Sequence, residues 1–354
     1  MRRASLLLFE KPSVSTSVTI TDDTQAMRLA LQLAGQSMYI TSPNPRVGCV
    51  IVRDSHILAQ GRTQPAGQAH AEAAALSDAQ ARGVDLRGAT AYVTLEPCSH
   101  HGRTGPCTNA LIEAGVARVV TAIEDPDTNV AGRGHTMLRD AGVVVDVGCL
   151  AHEVGEQLLP YLHHRRTGRP FVVLKMATTI DGRTAAADGT SRWITGDTAR
   201  AAVHALRADS DAIVVGAGTV RADDPELTTR LVDGPSPRRI VLGRAPANAR
   251  VHPCTEWTDS LDALLDRLGT DGVLQLMVEG GATVASSFHE AGLVNRYVVH
   301  VAPAFLGDRG RPMFTGSSAS TMDDIRRGRL VSTRVLGDDI EIVIDPRPTN
   351  KEHT

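Results

Sequence analysis

His70-Ala71-Glu72 and, further on, Pro97-Cys98-Ser99-His100-His101-Gly102-Arg103-Thr104-Gly105-Pro106-Cys107 are the stretches on which the reading of this chain turns. One imidazole and two thiolates suit a borderline-soft divalent metal such as zinc, and three protein ligands leave a fourth position for water. Water held there titrates near neutrality and becomes a nucleophile. Glu72 follows His70 by two residues, in the first turn of an Ala-rich helix expected over Ala69 to Arg82, close enough to carry a proton from that water to a departing group. The cysteines come after a strand expected over Thr90 to Leu95. Any one of these side chains alone reads as packing; all of them in this order do not.

The flanking sequence alternates helix and strand. Ala26, Leu29, Ala30 and Leu33 recur at helical spacing within Asp22 to Gln36, with Asp22 or Asp23 as cap. Val47 to Val52 and Ile57 to Gly61 read as strands returning through Asp54-Ser55. A helix Thr108 to Ala114, a strand Val116 to Ile123, a helix Gly134 to Asp140 and a buried strand Val143 to Val147 follow. The polar, basic run from His163 to Pro170, closed by Gly and Pro, reads as a junction between domains. A second pattern then opens with the strand Phe171 to Met176. It continues through a helix Thr198 to Ala208, strands at Ala212, Arg239 and Leu274, a helix Ala282 to Glu290, and late strands Tyr297 to Val301 and Asp339 to Ile344. No repeat relates the halves, so two different α/β folds are expected, each a sheet covered by helices. The 354 residues suit two domains, placed at 22–166 and 167–347 between a loose extension 1–21 and a tail 348–354.

Composition excludes other classes. With Lys+Arg 37 against Asp+Glu 40, a net charge of -3 and 3% aromatic residues, the chain offers neither a basic surface nor stacking platforms for nucleic acid. No apolar run approaches a membrane span, and Leu6-Leu7-Leu8-Phe9, broken by Glu10 and Lys11, is too short for a signal-peptide core. Five scattered cysteines fit a reducing cytoplasm better than a disulfide framework. Cys49, Cys149 and Cys254 lack partners in any motif and are left to packing.

His-x-Glu followed by Pro-Cys and a second Cys is the signature of zinc-dependent nucleobase deaminases. Those enzymes commonly space the thiolates by two residues, whereas the loop here is longer and carries His and Arg, suited to a ribose phosphate. Together with Pro43-Asn44-Pro45-Arg46-Val47-Gly48 and Glu124-Asp125-Pro126, it resembles the bifunctional pyrimidine deaminase/reductase family of riboflavin biosynthesis. The resemblance implies a cytidine-deaminase-like α/β/α sandwich first and a dihydrofolate-reductase-like α/β domain second. It implies His70, Cys98 and Cys107 as ligands of one zinc per chain and Glu72 as proton shuttle, with Asn44, His100, Arg103 and Asp125 on the substrate. The chain departs from the family at Asp127, where Asn is common.

The second half carries the same resemblance in order: Leu174-Lys175-Met176, Asp181-Gly182-Arg183-Thr184, Ser191-Arg192-Trp193-Ile194-Thr195, the run from Thr219 to Thr228, and Val278-Glu279-Gly280-Gly281-Ala282. Glu279-Gly280-Gly281-Ala282-Thr283 follows a strand and opens a helix, so backbone N–H groups at a positive helix end can approach a phosphate. Lys175 stands on an apolar strand and needs a carboxylate, for which Asp181, Asp223 and Glu279 are candidates. The resemblance places Lys175 and Glu279 at the reacting sugar and Ser191, Arg207, Leu227, Arg230 and Glu279 on the substrate. It places Ala177, Trp193, Thr219, Asp223 and Gly281, Ala282, Thr283, Val284, Ala285, Ser286 and Ser287 on NADPH. Gly243-Arg244, where the family often has Asp-Ser, is a second departure.

The function so implied is zinc-dependent hydrolytic deamination of 2,5-diamino-6-ribosylamino-4(3H)-pyrimidinone 5′-phosphate, then NADPH-dependent reduction of its ribosyl group to ribityl, in a homo-oligomer (dimer or tetramer). Two other readings stay open from the residues. One is a free-base or tRNA deaminase fused to a reductase-like domain of other function, against which the long Cys98 to Cys107 loop argues. The other is a nucleic-acid-binding module on a deaminase scaffold, against which the scarce aromatics argue.

Overall fold

A computed structural model describes residues 19–99, 105–316 and 319–347. The contacts divide the chain into two units, one of residues up to Ser37 with Arg46–Gln157 and one of Met38–Pro45 with Leu158–Thr354.

The first unit opens with α1 (Asp23–Gly35), capped by Asp22, whose carboxylate accepts the Gln25 N–H at 2.8 Å. Ile20 already belongs to the packed structure, buried and donating its N–H to Ser55 O at 2.9 Å. β1 (Gly48–Arg53) and β2 (His56–Arg62) form an antiparallel hairpin. Asp54 and Ser55 turn it with φ of 50° and 63°, the left-handed pair that two-residue hairpins prefer. α2 (Ala71–Ala81) lies on this hairpin so closely that a Cβ on Gly61 would stand 2.3 Å from Ala71 O. Its buried Ala71, Ala75 and Ala79 are small because the backbones approach. Then come β3 (Thr90–Val93), α3 (Cys107–Glu113), β4 (Arg118–Thr121), α4 (Arg133–Asp140), β5 (Val144–Val147) and α5 (Ala151–Thr167). The sheet runs β2-β1-β3-β4-β5, antiparallel on the hairpin side and parallel from β3 onward. Ligand groups after parallel strands gather at their carboxyl ends, and the loops after β3 and β4 carry Cys98 and Asp125.

Two expectations change here. β5 is an edge strand with Val144 and Val147 exposed, not a buried one, since a run of valines does not say whether a helix covers it. His163 to Thr167 do not form a linker; they end α5, and Gly168 at φ 73° terminates it. The division between units falls inside that helix, with residues 158–167 grouped with the second unit.

The second unit contains β6 (Phe171–Thr179), β7 (Arg183–Ala185), α6 (Asp197–Ala208), β8 (Ala212–Gly216), α7 (Ala217–Asp223), β9 (Arg238–Leu242), β10 (Thr255–Trp257) and α8 (Leu261–Thr270). β11 (Gln275–Val278), α9 (Ala282–Glu290), β12 (Arg296–Ala302), β13 (Arg311–Pro312), β14 (Gly328–Leu336) and β15 (Asp339–Pro346) complete it. Its eight-stranded sheet is ordered β10-β9-β8-β11-β6-β12-β15-β14, parallel up to β12 and antiparallel at β15 and β14. Val172, Leu174 and Met176 of β6 share one core with Leu264, Leu268 and Phe288 from α8 and α9. Phe171 and Val173 pack on the opposite face with Val298 and Leu206. Alternation along the strand therefore puts Lys175 on the face that α6 covers. Among the described residues no helix is long and apolar enough to cross a membrane.

Candidate functional sites

In the first unit the chain assembles the expected metal triad from three separate elements. His70 occupies the N-cap of α2, Cys98 the loop after β3, and Cys107 the first position of α3. The Sγ atoms of Cys98 and Cys107 lie 3.7 and 3.6 Å from His70 Nδ1, and all three donor atoms are within 4.8 Å of one another. Zinc bonded to sulfur at 2.3 Å and nitrogen near 2.0 Å in a tetrahedron separates those donors by about 3.6 Å. The donor set therefore fits zinc in both chemistry and spacing.

The electrostatics agree. The Cys107 side chain hydrogen-bonds to Cys98 and, with His70, draws the Cys98 thiol down to about 4, while the Cys107 thiol is pushed up. The Cys107 N–H also donates to Cys98 Sγ at 3.4 Å. Glu72, in the first turn of α2, is 4% exposed, and burial, reinforced by the charge on Cys98, raises its carboxyl to about 7. A carboxyl held near neutrality can both accept and return a proton.

Among the expected substrate contacts, Asp125 is buried in the loop after β4, its Oδ1 accepting the Asp127 N–H at 2.9 Å. Asp127 turns its own carboxylate to the Asn129 N–H and side-chain amide, at 2.9 and 3.0 Å, so this departure from the family is absorbed into the turn. Asn44 lies in the Met38–Pro45 segment, grouped with the second unit. His100 and Arg103 lie outside the described residues. Cys49, buried in β1, and the partly buried Cys149 and Cys254 form no disulfide among the described residues, and Cys254 Sγ lies 3.5 Å from His252 Nδ1.

In the second unit a charged cluster sits on the α6 face of the large sheet. Arg207 of α6 grips Glu279 with both arms, Nε to Oε2 at 2.9 Å and Nη2 to Oε1 at 2.8 Å, and gives Nη1 to Thr228 O at 3.1 Å. Burial alone would raise the Glu279 carboxyl, but Arg207 outweighs it and holds it below the usual value. Burial lowers the Lys175 ammonium, and the charge of Glu279 partly restores it. Of the three carboxylates considered for Lys175, Glu279 is the one whose charge acts on it. Asp181 instead accepts N–H groups of Leu306 and Gly307, and Asp223 pairs with Arg192. The sequence did not single out His204, which accepts the Arg230 N–H at 2.9 Å; its burial, with Arg207 and Arg230 nearby, brings it down to about 4. A histidine on the buried stripe of α6, one turn from Arg207, was the available signal.

Arg230 is half exposed and bonds Glu226 and Thr228 Oγ1, whereas Leu227 is buried at φ 55° in the core under α7. Ser191 is partly buried in the loop after β7, and Ala177 lies on β6 opposite His300. Trp193 is 69% exposed beneath the guanidinium of Arg200. The N-terminus of α9 has no side-chain cap, and its N-cap Gly281 donates to Thr219 Oγ1 at 3.3 Å. Gly280 is required there, since a Cβ would meet Val284 Cβ at 2.7 Å. Uncapped N–H groups beside small residues fit a cofactor phosphate. Ala282, Thr283 and Val284 share that first turn, while Ala285 and Ser286 turn into the core and Ser287 stays exposed.

The family described as "Cytidine and deoxycytidylate deaminase zinc-binding region" matches residues 20–123, and "RibD C-terminal domain" matches residues 170–342. Riboflavin biosynthesis protein RibD of Escherichia coli is 38% identical over 361 residues, covering 90% of this chain and 98% of that protein. RibD of Acinetobacter baumannii superposes with a TM-score of 0.87 at 37% identity, over 92% of this chain and 99% of that one. A diaminohydroxyphosphoribosylaminopyrimidine deaminase/5-amino-6-(5-phosphoribosylamino)uracil reductase from Thermotoga maritima gives 0.85 at 33% identity, over 92% and 99%. The likeness spans both halves, and the zinc-type triad and the Lys175–Glu279 cluster fall one in each. The chain belongs to the RibD family, the bifunctional deaminase/reductases of riboflavin biosynthesis.

Proposed function

We propose that the first unit hydrolyses the C2 amine of 2,5-diamino-6-ribosylamino-4(3H)-pyrimidinone 5′-phosphate. The second unit then reduces the ribosyl group with NADPH, giving 5-amino-6-ribitylaminouracil 5′-phosphate. The observation that carries the reading is the convergence of His70, Cys98 and Cys107 beside the buried Glu72. These three residues hold one zinc ion, which when bound supplies a Lewis acid that brings water into the neutral titration range. Glu72 takes one proton from the attacking water and gives it to the pyrimidine ring nitrogen as the C2–O bond forms. It then carries the second proton, from the hydroxyl so formed, to the amine, which leaves as ammonia when the C2–N bond breaks and the carbonyl closes. Asp125, with Asn44, His100 and Arg103, orients the phosphorylated pyrimidine.

In the reductase, NADPH when bound supplies the hydride for C1′ of the opened ribose. Arg207 keeps Glu279 ionised and aimed, and the buried Lys175 delivers or orients the proton at the sugar. Because the Arg207 fork is spent on Glu279 and Thr228 O, Arg207 acts on the substrate through Glu279, and the half-exposed Arg230 is the better phosphate contact. Ser191 and Leu227 flank the sugar. The first turn of α9 with Thr219 takes a cofactor phosphate, and Ala177, Trp193 and Asp223 line the rest. Leu330 and Val335, exposed on the edge strand β14, support a homo-oligomer built on the reductase, dimer or tetramer. Five unpaired cysteines support a cytoplasmic setting.

Ammonia release and NADPH oxidation by the purified, zinc-loaded protein test the assignment. Both are expected with the diaminopyrimidine ribosyl phosphate as sole substrate. Release of ammonia from cytosine, guanine or tRNA, and not from this compound, would overturn it.

A further inference from the structure

Glu96 precedes the Pro97-Cys98 pair, and its side chain is fully buried. No mechanism above uses it, yet its carboxylate gathers four backbone N–H groups. Oε2 accepts the N–H of Asp125 at 3.1 Å and of Gly132 at 3.0 Å, and Oε1 accepts those of Gly134 at 2.8 Å and His135 at 3.3 Å. Three of these donors belong to the N-cap and first turn of α4, where the helix dipole favours an anion. The approach is tight: a Cβ on Gly134 would stand 2.1 Å from Pro97 O. The Glu96 N–H in turn donates to Ile123 O at 2.9 Å, extending the β3–β4 pairing into the two loops. Glu124 and His135 also stand near this carboxylate, His135 Nδ1 being 4.0 Å from each. Four amide donors and a positive helix end already surround it, which leaves Glu96 no role as a cation ligand.

We infer that Glu96 is a positioning residue for the deaminase, a single buried carboxylate that fixes the loop bearing Asp125 against the loop bearing the metal ligand Cys98. One end of its connection is covalent, through Pro97 to Cys98. The other is the Asp125 N–H, so the carboxylate sets where a substrate held by Asp125 lies relative to the metal position. The residue it most affects is Asp125, while Cys98 keeps its anchorage to Cys107 and His70. Loss of the charge should therefore weaken substrate placement more than metal binding. This inference rests on the reading of Asp125 as a substrate contact.

The test is steady-state deaminase kinetics on zinc-loaded full-length protein with the diaminopyrimidine ribosyl phosphate, alongside zinc analysis and thermal unfolding. E96Q presents amide hydrogens to donors and should raise KM at least about tenfold, which is about 1.4 kcal/mol. Its kcat should stay within about threefold, with zinc content unchanged. E96D, which keeps the charge on a shorter arm, should show a smaller rise in KM, and it decides the matter should E96Q not fold. T121V removes the 2.9 Å contact from Thr121 Oγ1 to His135 Nε2 in the same buried cluster and serves as the stability control, with KM expected unchanged. An unchanged KM in folded Glu96 variants, loss of zinc from them, or an equal KM rise in T121V would each overturn the inference. D125A separates it from the reading beneath: if D125A leaves KM unchanged, Asp125 is no substrate contact. If D125A raises KM and E96Q does not, the positioning role alone fails.

Discussion

Removing the Glu72 carboxylate should separate the two chemistries at the level of one side chain. Glu72→Gln is expected to lower ammonia release by about 10²- to 10⁴-fold, the usual contribution of a general acid–base group. Zinc content and NADPH oxidation with already deaminated substrate should be unaffected. Arg207 makes the matching case in the reductase. Arg207→Ala strips the largely enclosed Glu279 carboxyl of the fork that holds it ionised, and losing one partner of such a pair costs up to about 3–5 kcal/mol. Denaturant unfolding should show that loss together with a failed reductase, and Arg207→Lys should restore little, because one ammonium cannot replace two parallel N–H donors. His70, Glu72, Cys98 and Cys107 were legible in the sequence because metal chemistry restricts both residue type and order. Arg207's attachment to Glu279 was not, because 72 residues separate the partners and only the packing of α6 on the sheet joins them. Glu96 was hidden for the same reason, its donors lying on a loop and helix that no local pattern connects to it.

Among the elements, α2 depends on a close approach that can be tested. Gly61→Ala places a methyl 2.3 Å from Ala71 O and must lift the helix that begins at His70. A stability loss of about 1–3 kcal/mol or more is expected from such overpacking, with weakened zinc retention in a chelator competition; unchanged retention would mean that His70 is not held through this contact. The β12–β15–β14 edge of the large sheet carries a pH-dependent element. Burial would raise the Glu341 carboxyl, but hydrogen bonds from His300 at 3.0 Å and Arg334 at 2.6 Å bring it down to about 2. A carboxyl depressed in the folded state stabilises fully above its unfolded value near 4.3 and loses that contribution as pH falls toward 2. Glu341→Gln should therefore flatten the acid limb of the stability curve between those values, by on the order of 2–3 kcal/mol. Periodicity found most of the longer helices and the central strands. It missed α5, α8 and β14, and it read β5 as buried, because amphipathic or apolar runs do not state what lies on their other side.

In the whole molecule, two α/β units of different topology carry two reactions in one chain. The sequence made both legible because each has its own motif set and no repeat relates them. It read the basic run from His163 as a linker, but a basic run ending in Gly and Pro is as much a helix C-terminus, and α5 uses it so. The central claim, a metal-dependent deaminase joined to a metal-independent reductase, is tested most directly by one paired assay. Ammonia release from the diaminopyrimidine ribosyl phosphate and NADPH oxidation with its deaminated product would be measured on the same protein before and after zinc removal by a chelator. The account predicts that chelation abolishes the first, that added zinc restores it, and that the second proceeds unchanged throughout. Ammonia release that persists without zinc, or NADPH oxidation that disappears with it, would contradict the account.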